Sequence, residues 1–231
     1  MKKIVVLSGA GISAESGIKT FRDSGGLWEE HDIMEVASID GWYKNKSLVL
    51  DFYNKRRKQA LDANPNEGHL ALTELEANYD VTIITQNVDN LHEKAGSTKV
   101  MHLHGELFKS RSTGDPRLIY DINGWELNLG DKCEKGTQLR PNIVWFGEAV
   151  PLMDDAIELV QKADIFIVVG TSLQVYPAAG LIDFVDDKIP KYIIDPNMPE
   201  VAARPNLFLI KEKGSVGLTN LASKLIAHSG K

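Results

Sequence analysis

His104, set between Leu103 and Gly105-Glu106, has a side chain suited to move a proton near neutral pH, because an unperturbed imidazole titrates at about 6.5. Residue type alone does not decide its role, since a histidine ending the strand-like run 99–103 serves equally for packing or capping. Its surroundings add weight. Gln86, Asn87, Val88 and Asp89 follow the apolar run 81–85, and the carboxyl ends of strands are where ligand groups are presented. Asn and Asp at that place also suit an Asx turn closing the strand. By strand alternation His102 shares a face with His104 and can support it from behind; His92 is a weaker candidate.

A second cluster has the chemistry of a phosphate loop. The apolar run 4–7 leads into Gly9-Ala10-Gly11-Ile12-Ser13-Ala14, a strand, glycine turn and helix start with Ala14 in the third small position of a dinucleotide fingerprint. Gly9 and Gly11 would let the backbone approach a pyrophosphate, and the helix start would offer free N–H groups. A tight turn with no ligand is the bland alternative. A hydride-transfer enzyme would next show a strand ending in an acid; Asp32 stands at a suitable distance, but the run 29–32 shows no apolar strand pattern before it. Further along, Gly170-Thr171-Ser172 ends the run 165–169 with hydroxyls suited to phosphate or ribose, and Asp195-Pro196-Asn197 follows the run 192–194.

The elements that must position these groups follow from the apolar pattern. Short runs at 4–7, 81–85, 143–146, 165–169, 192–194 and 207–210 look like buried parallel strands, and helical patterns separate several of them. The expectation is an α/β fold, a Rossmann-like doubly wound parallel sheet, with helices opening at Pro151 and Pro177 and another over 216–227. A helix over 47–63, capped by Ser47, carries Tyr53 and Arg56 on one face, although the charges at 55–58 also suit a solvated surface. Residues 23–78 and 106–141 break the rhythm and are assigned to a smaller inserted lobe; 1–22, 79–105 and 142–231 form the larger one. At 231 residues, 43% hydrophobic and 25% charged, the composition is that of a globular protein, and a net charge of -6 disfavours nucleic acid as a partner. The apolar stretch after Met1-Lys2-Lys3 is too short for a signal or membrane segment, so a soluble, cytoplasmic protein is expected.

Taken in order, Ser16-Gly17-Ile18 with Phe21-Arg22, the block 85–92, His102 to Glu106, Val144 to Glu148, and Gly170 to Leu173 resemble the sirtuins over nearly the whole chain. The resemblance implies NAD as co-substrate and acylated lysine proteins or peptides as partners; from charge and composition no nucleic acid and no membrane partner are expected, and with no sign of an oligomer interface a monomer is expected. The resemblance also implies that the acyl oxygen attacks the nicotinamide ribose and that His104 then activates a ribose hydroxyl, with Asn87 positioning ribose and water. The cofactor-binding set it implies is Gly9, Ala10, Gly11, Ile12, Ala14, Phe21, Arg22, Trp28, Gln86, Asn87, Val88, Asp89, Gly170, Thr171, Ser172, Asp195, Pro196, Asn197 and Val216. Asp195 stands where the family usually has asparagine. Val144, Trp145, Phe146 and Gly147 match the segment that pairs with an extended peptide, and Tyr53 with Arg56 matches the Tyr-x-x-Arg pair that reads succinyl- or malonyl-lysine. A guanidinium fork and a phenol suit a carboxylate.

The small lobe departs from the family. Where two zinc-binding cysteine pairs are usual, this sequence has Ser112, Asp115, Lys132 and Lys135, with its single cysteine, Cys133, beside a ligand position. No zinc is expected; a pairing of Asp115 with Lys132 or Lys135 and packing by Ile119, Tyr120, Trp125 and Leu127 would replace it. Two other functions stay open on sequence alone: an NAD-dependent protein ADP-ribosyltransferase, which retention of His104 disfavours, and a catalytically idle NAD-binding module.

Overall fold

A computed structural model describes residues 1–19, 27–28 and 31–228, with Leu27 and Trp28 described in their backbone only. In chain order the elements are β1 (Lys3–Ser8), α1 (Ala10–Ala14), β2 (Leu27–Trp28), β3 (His31–Asp32), α2 (Ile33–Val36), α3 (Ile39–Lys44), α4 (Lys46–Asp62), α5 (Glu67–Leu75), β4 (Asp80–Thr85), α6 (Leu91–Lys94), β5 (Val100–His102), β6 (Gly105–Ser112), β7 (Ile119–Asp121), β8 (Leu139–Ile143), α7 (Met153–Gln161), β9 (Ile165–Val169), a 3-10 helix (Ala178–Phe184), β10 (Lys191–Ile194), β11 (Leu207–Ile210) and α8 (Gly214–His228).

Six strands form a parallel sheet in the order β11-β10-β9-β1-β4-β5. Alternation along β1 explains its unbroken apolar run: Ile4 and Val6 pack on one face with Leu72 of α5 and Leu218 of α8, while Val5 and Leu7 pack on the other with Val160 of α7 and Leu181 of the 3-10 helix. Both faces are covered, as in a doubly wound fold. Because β4 and β9 lie on opposite sides of β1, the connections diverge there, and a crevice opens beyond the strand carboxyl ends.

A second core, built around Trp42, Val49, Phe52, Leu107 and Trp145, joins α3 and α4 to the antiparallel sheet β7-β6-β8. Residues 143–146 therefore do not form a strand of the parallel sheet. β8 ends at Ile143 and pairs with β6; Ile143 and Trp145 are buried while Phe146 is exposed. The apolar run arises from alternate burial in the second core and exposure toward the crevice. Two helix starts also differ from expectation: Asn45, not Ser47, caps α4 by accepting the Leu48 N–H at 3.1 Å, and α7 begins at Met153 after a turn at Pro151. Among the described residues, no helix is long and apolar enough to cross a membrane.

Near the expected zinc positions, Lys135 Nζ lies 2.8 Å from Asp115 Oδ2, and Arg117 donates to both Asp115 oxygens at 2.9 Å. Hydrogen bonds from Arg117 and Lys135 hold the Asp115 carboxyl well below the usual range. Lys132 is not the partner of Asp115. Leu127 is buried as expected, but Ile119 is 48% exposed, because β7 is an edge strand with one face in solvent. Ser112 Oγ and Thr137 Oγ1 lie 2.8 Å apart beside Cys133 Sγ, so small polar contacts supplement the packing.

Candidate active site

A cavity of about 730 Å³ occupies the crevice and extends from the loop after β1 to α4. At its floor the Gly9 N–H donates to the Val169 carbonyl at 3.0 Å and the Gly11 N–H to the Gly170 carbonyl at 2.8 Å. A Cβ on Gly11 would stand 2.7 Å from Gly170 Cα; one on Gly170, whose φ is +64°, would stand 2.3 Å from the Ile12 nitrogen. These glycines are required by the contact of two backbones, and the Gly9 and Gly11 amides are bonded to the end of β9 and the residue after it. The wall instead offers the hydroxyls of Thr171 and Ser172 and the cations Lys19 and Lys213, a set suited to a phosphate- and hydroxyl-bearing ligand.

The loop after β4 is tied to the same floor. The Asn87 side-chain amide donates to the Gly9 carbonyl at 3.1 Å and to Ser13 Oγ at 3.0 Å, and its backbone N–H donates to Thr85 Oγ1 at 3.0 Å. Gln86 Nε2 reaches Thr171 Oγ1 at 3.2 Å, joining this loop to the one after β9. Asp89 is 6% exposed; burial raises its pKa, while bonds from the Leu91 N–H and from Ser13 partly offset the rise.

The two histidines of the 102–104 stretch differ in charge. His104 lies 3.1 Å through Nδ1 from the Gln86 carbonyl, which can only accept, so Nδ1 carries the hydrogen and Nε2 of the neutral ring keeps its lone pair. Burial lowers the His104 pKa and the Gln86 bond opposes it, leaving a neutral base on the cavity wall at pH 7. His102 bonds at both nitrogens to acceptors, the Asn87 carbonyl at 3.0 Å and Glu93 Oε1 at 2.7 Å. Burial disfavours its charge, but Glu93 outweighs that and raises its pKa. His102 therefore braces the Asn87 backbone as an imidazolium.

At the far end, Tyr53 and Arg56 of α4 are 1% and 7% exposed and both line the cavity. Burial pushes the Tyr53 phenol up to about 12, so it remains a neutral donor. The neighbouring charges do not form one solvated face: Arg57 is fully buried and donates to the carbonyls of Trp125 at 2.8 Å and Leu107 at 3.2 Å, whereas Lys55 is exposed beside Asp51. Opposite α4, the Val144 N–H donates to the His104 carbonyl at 2.9 Å and the Phe146 N–H to the Ala37 carbonyl at 2.9 Å. Glu148 fixes this segment by accepting the Trp145 N–H at 2.9 Å and two bonds from Arg140 at 2.8 Å.

Gly9, Ala10, Gly11, Ala14, Gln86, Asn87, Val88, Asp89, His104, Val144, Trp145, Phe146, Gly147, Gly170, Thr171, Ser172, Asp195, Pro196 and Asn197 all line this one cavity with Tyr53 and Arg56. Ile12 is buried behind the loop in the sheet core, and Val216 is 49% exposed and is not part of the lining. Phe21 and Arg22 lie outside the described residues, and the side chain of Trp28 is not described. Residues not foreseen include Ser13, Glu148, Tyr176, Lys213 and Gly214. Glu148 ends a recognisable block; the turn before α8 carries no local signal for Lys213.

Residues 9–177 match the Sir2 family. An NAD-dependent protein deacylase of Helicobacter pylori (strain ATCC 700392 / 26695) is 57% identical over 228 residues, covering 98% of both chains. One of Bacteroides thetaiotaomicron is 51% identical over 231 residues, covering 98% of this chain and 99% of its own. The structure superposes on a Sir2 homolog–NAD complex with a TM-score of 0.89 at 37% identity, covering 99% of this chain and 91% of that one. It also matches a Sir2 complex with a deacetylated p53 peptide and 3′-O-acetyl ADP ribose, with a TM-score of 0.80 at 30% identity over 98% of this chain and 93% of that one. Fold and sequence agree over nearly the full length: the chain belongs to the Sir2 family of NAD-dependent protein deacylases.

Proposed function

We propose that this deacylase acts on lysine carrying acidic acyl groups, succinyl or malonyl, as well as on acetyl-lysine. The observation that carries the reading is the pair Tyr53 and Arg56, almost fully buried yet lining the same cavity as His104. A fork of N–H donors beside a neutral phenol matches a carboxylate. An acetyl group offers no such anion.

When bound, NAD supplies the ribose carbon to which the acyl oxygen is transferred, with nicotinamide as the leaving group. Thr171, Ser172, Lys19 and Lys213 suit its phosphates and riboses, and Asp89 with the backbone of Val88 suits the carboxamide. His104 Nε2 accepts the proton of a ribose hydroxyl, and the Gln86 carbonyl steadies the positive ring that results. Asn87, fixed by Gly9 and Ser13, orients the groups that react. The backbone at residues 144–147 receives the substrate as an added strand. Asp115, Lys135 and Arg117 support the further reading that the small lobe holds together without zinc.

Arg56→Met tests the acyl preference. Loss of the charged hydrogen bonds is expected to remove roughly 2 to 3 kcal/mol of transition-state binding, so kcat/KM for a succinyl-lysine peptide falls roughly 30- to 140-fold relative to acetyl-lysine. An unchanged ratio rejects the proposal.

A further inference from the structure

We propose that Trp145 is a specificity-determining residue, whose indole N–H holds the Tyr53 hydroxyl so that its O–H donor faces an acyl carboxylate in the cavity. This inference rests on the acidic-acyl reading above. Trp145 Nε1 is a donor only and lies 2.9 Å from Tyr53 Oη, so the phenol oxygen must be the acceptor in that bond. With one side of the oxygen taken by the indole, the phenol hydrogen turns to the other side.

Among the described residues, that hydrogen meets no acceptor, although Tyr53 is 1% exposed. A buried O–H without an acceptor is unfavourable, and an incoming anionic oxygen beside Arg56 would satisfy it. Tyr53 resists ionisation because of its burial, so the group remains a donor.

The indole is held before any substrate arrives. The Arg140 guanidinium carbon lies 3.5 Å from its ring centroid, and the Trp42 ring stands 5.6 Å away on the small-lobe side. Glu148 bonds both to Arg140 and to the Trp145 backbone N–H. An ion pair at the base of the small lobe thus fixes an indole, which fixes a phenol at the acyl end of the cavity, 92 residues away in sequence.

The test is the ratio of kcat/KM for succinyl-lysine to that for acetyl-lysine peptides in the full chain with NAD. Trp145→Phe removes the N–H and keeps an aromatic body. A tryptophan analogue with sulfur in place of the indole N–H, incorporated at position 145, removes it with the shape retained should the phenylalanine variant fold poorly. Either replacement is expected to lower the ratio about fivefold and Tyr53→Phe about tenfold, with no further loss when the two are combined. An unchanged ratio in the Trp145 replacements, or losses that multiply in the double variant, overturns the role of Trp145. If Arg56→Met lowers the ratio while the Trp145 replacements do not, only that role falls. If Arg56→Met also leaves the ratio unchanged, the acidic-acyl reading falls as well.

Discussion

Enclosure strips water from the imidazole of His104, and the resulting fall in its pKa has a direction that kinetics can read. The base works in its neutral form, so activity is lost as pH drops through its pKa. Burial moves that loss below the ordinary value of about 6.5. The acid limb of kcat/KM is expected below pH 6.5 in the wild-type protein, and His104→Ala is expected to lower kcat by about 10²- to 10⁴-fold. A limb centred above pH 7, or a variant of near-normal rate, would argue against this role. His104, Asn87 and Asp89 were legible in the sequence because their neighbours within a few residues form ordered blocks. The contacts that hold them were not: Ser13 meets Asn87 across 74 positions and Trp145 meets Tyr53 across 92, and local pattern carries no distance information of that kind. Asn66, which caps α5, likewise bonds back to Ile12 and Ser16 with no sequence sign of it.

At the scale of elements, the site depends on how closely the ends of β1 and β9 approach. Gly170→Ala places a methyl group 2.3 Å from the Ile12 nitrogen at a φ of +64°, where both backbone segments resist movement. The expected cost is about 2 to 4 kcal/mol, seen as a Tm lower by on the order of 10 °C and a raised KM for NAD. An unchanged Tm and KM would show that the loop has slack. Strands of the parallel sheet were legible because burial on both faces leaves a continuous apolar run, as in Ile165–Val169. The same signal misled at 143–146, where burial alternates and the residues facing the cavity are apolar too. β6 and β7 escaped notice because partly exposed antiparallel strands, such as the polar-rich Gly105–Ser112, show no such run.

Among the described residues, the packed faces of the parallel sheet and the core of the antiparallel lobe border one cavity, and that lobe is held by packing around Trp42, Phe52 and Trp145 together with buried polar ties such as Arg57 and the Arg140–Glu148 pair. If that lobe needs no metal, exhaustive chelation leaves Tm unchanged within about 1 °C; a structural zinc would be revealed by a fall on the order of 10 °C or more. The doubly wound topology was readable because alternating apolar runs and helical patterns admit few arrangements, whereas the antiparallel sheet β7-β6-β8, poor in apolar periodicity, could not be drawn. The most direct test is mass spectrometry of parallel acetyl-, malonyl- and succinyl-lysine peptides incubated with NAD and the protein. Deacylated peptide and nicotinamide from all three, with the acidic acyl groups removed more efficiently and His104→Tyr inactive on each, is the expected result. Turnover of acetyl-lysine alone, or deacylation that survives the loss of His104, would contradict it.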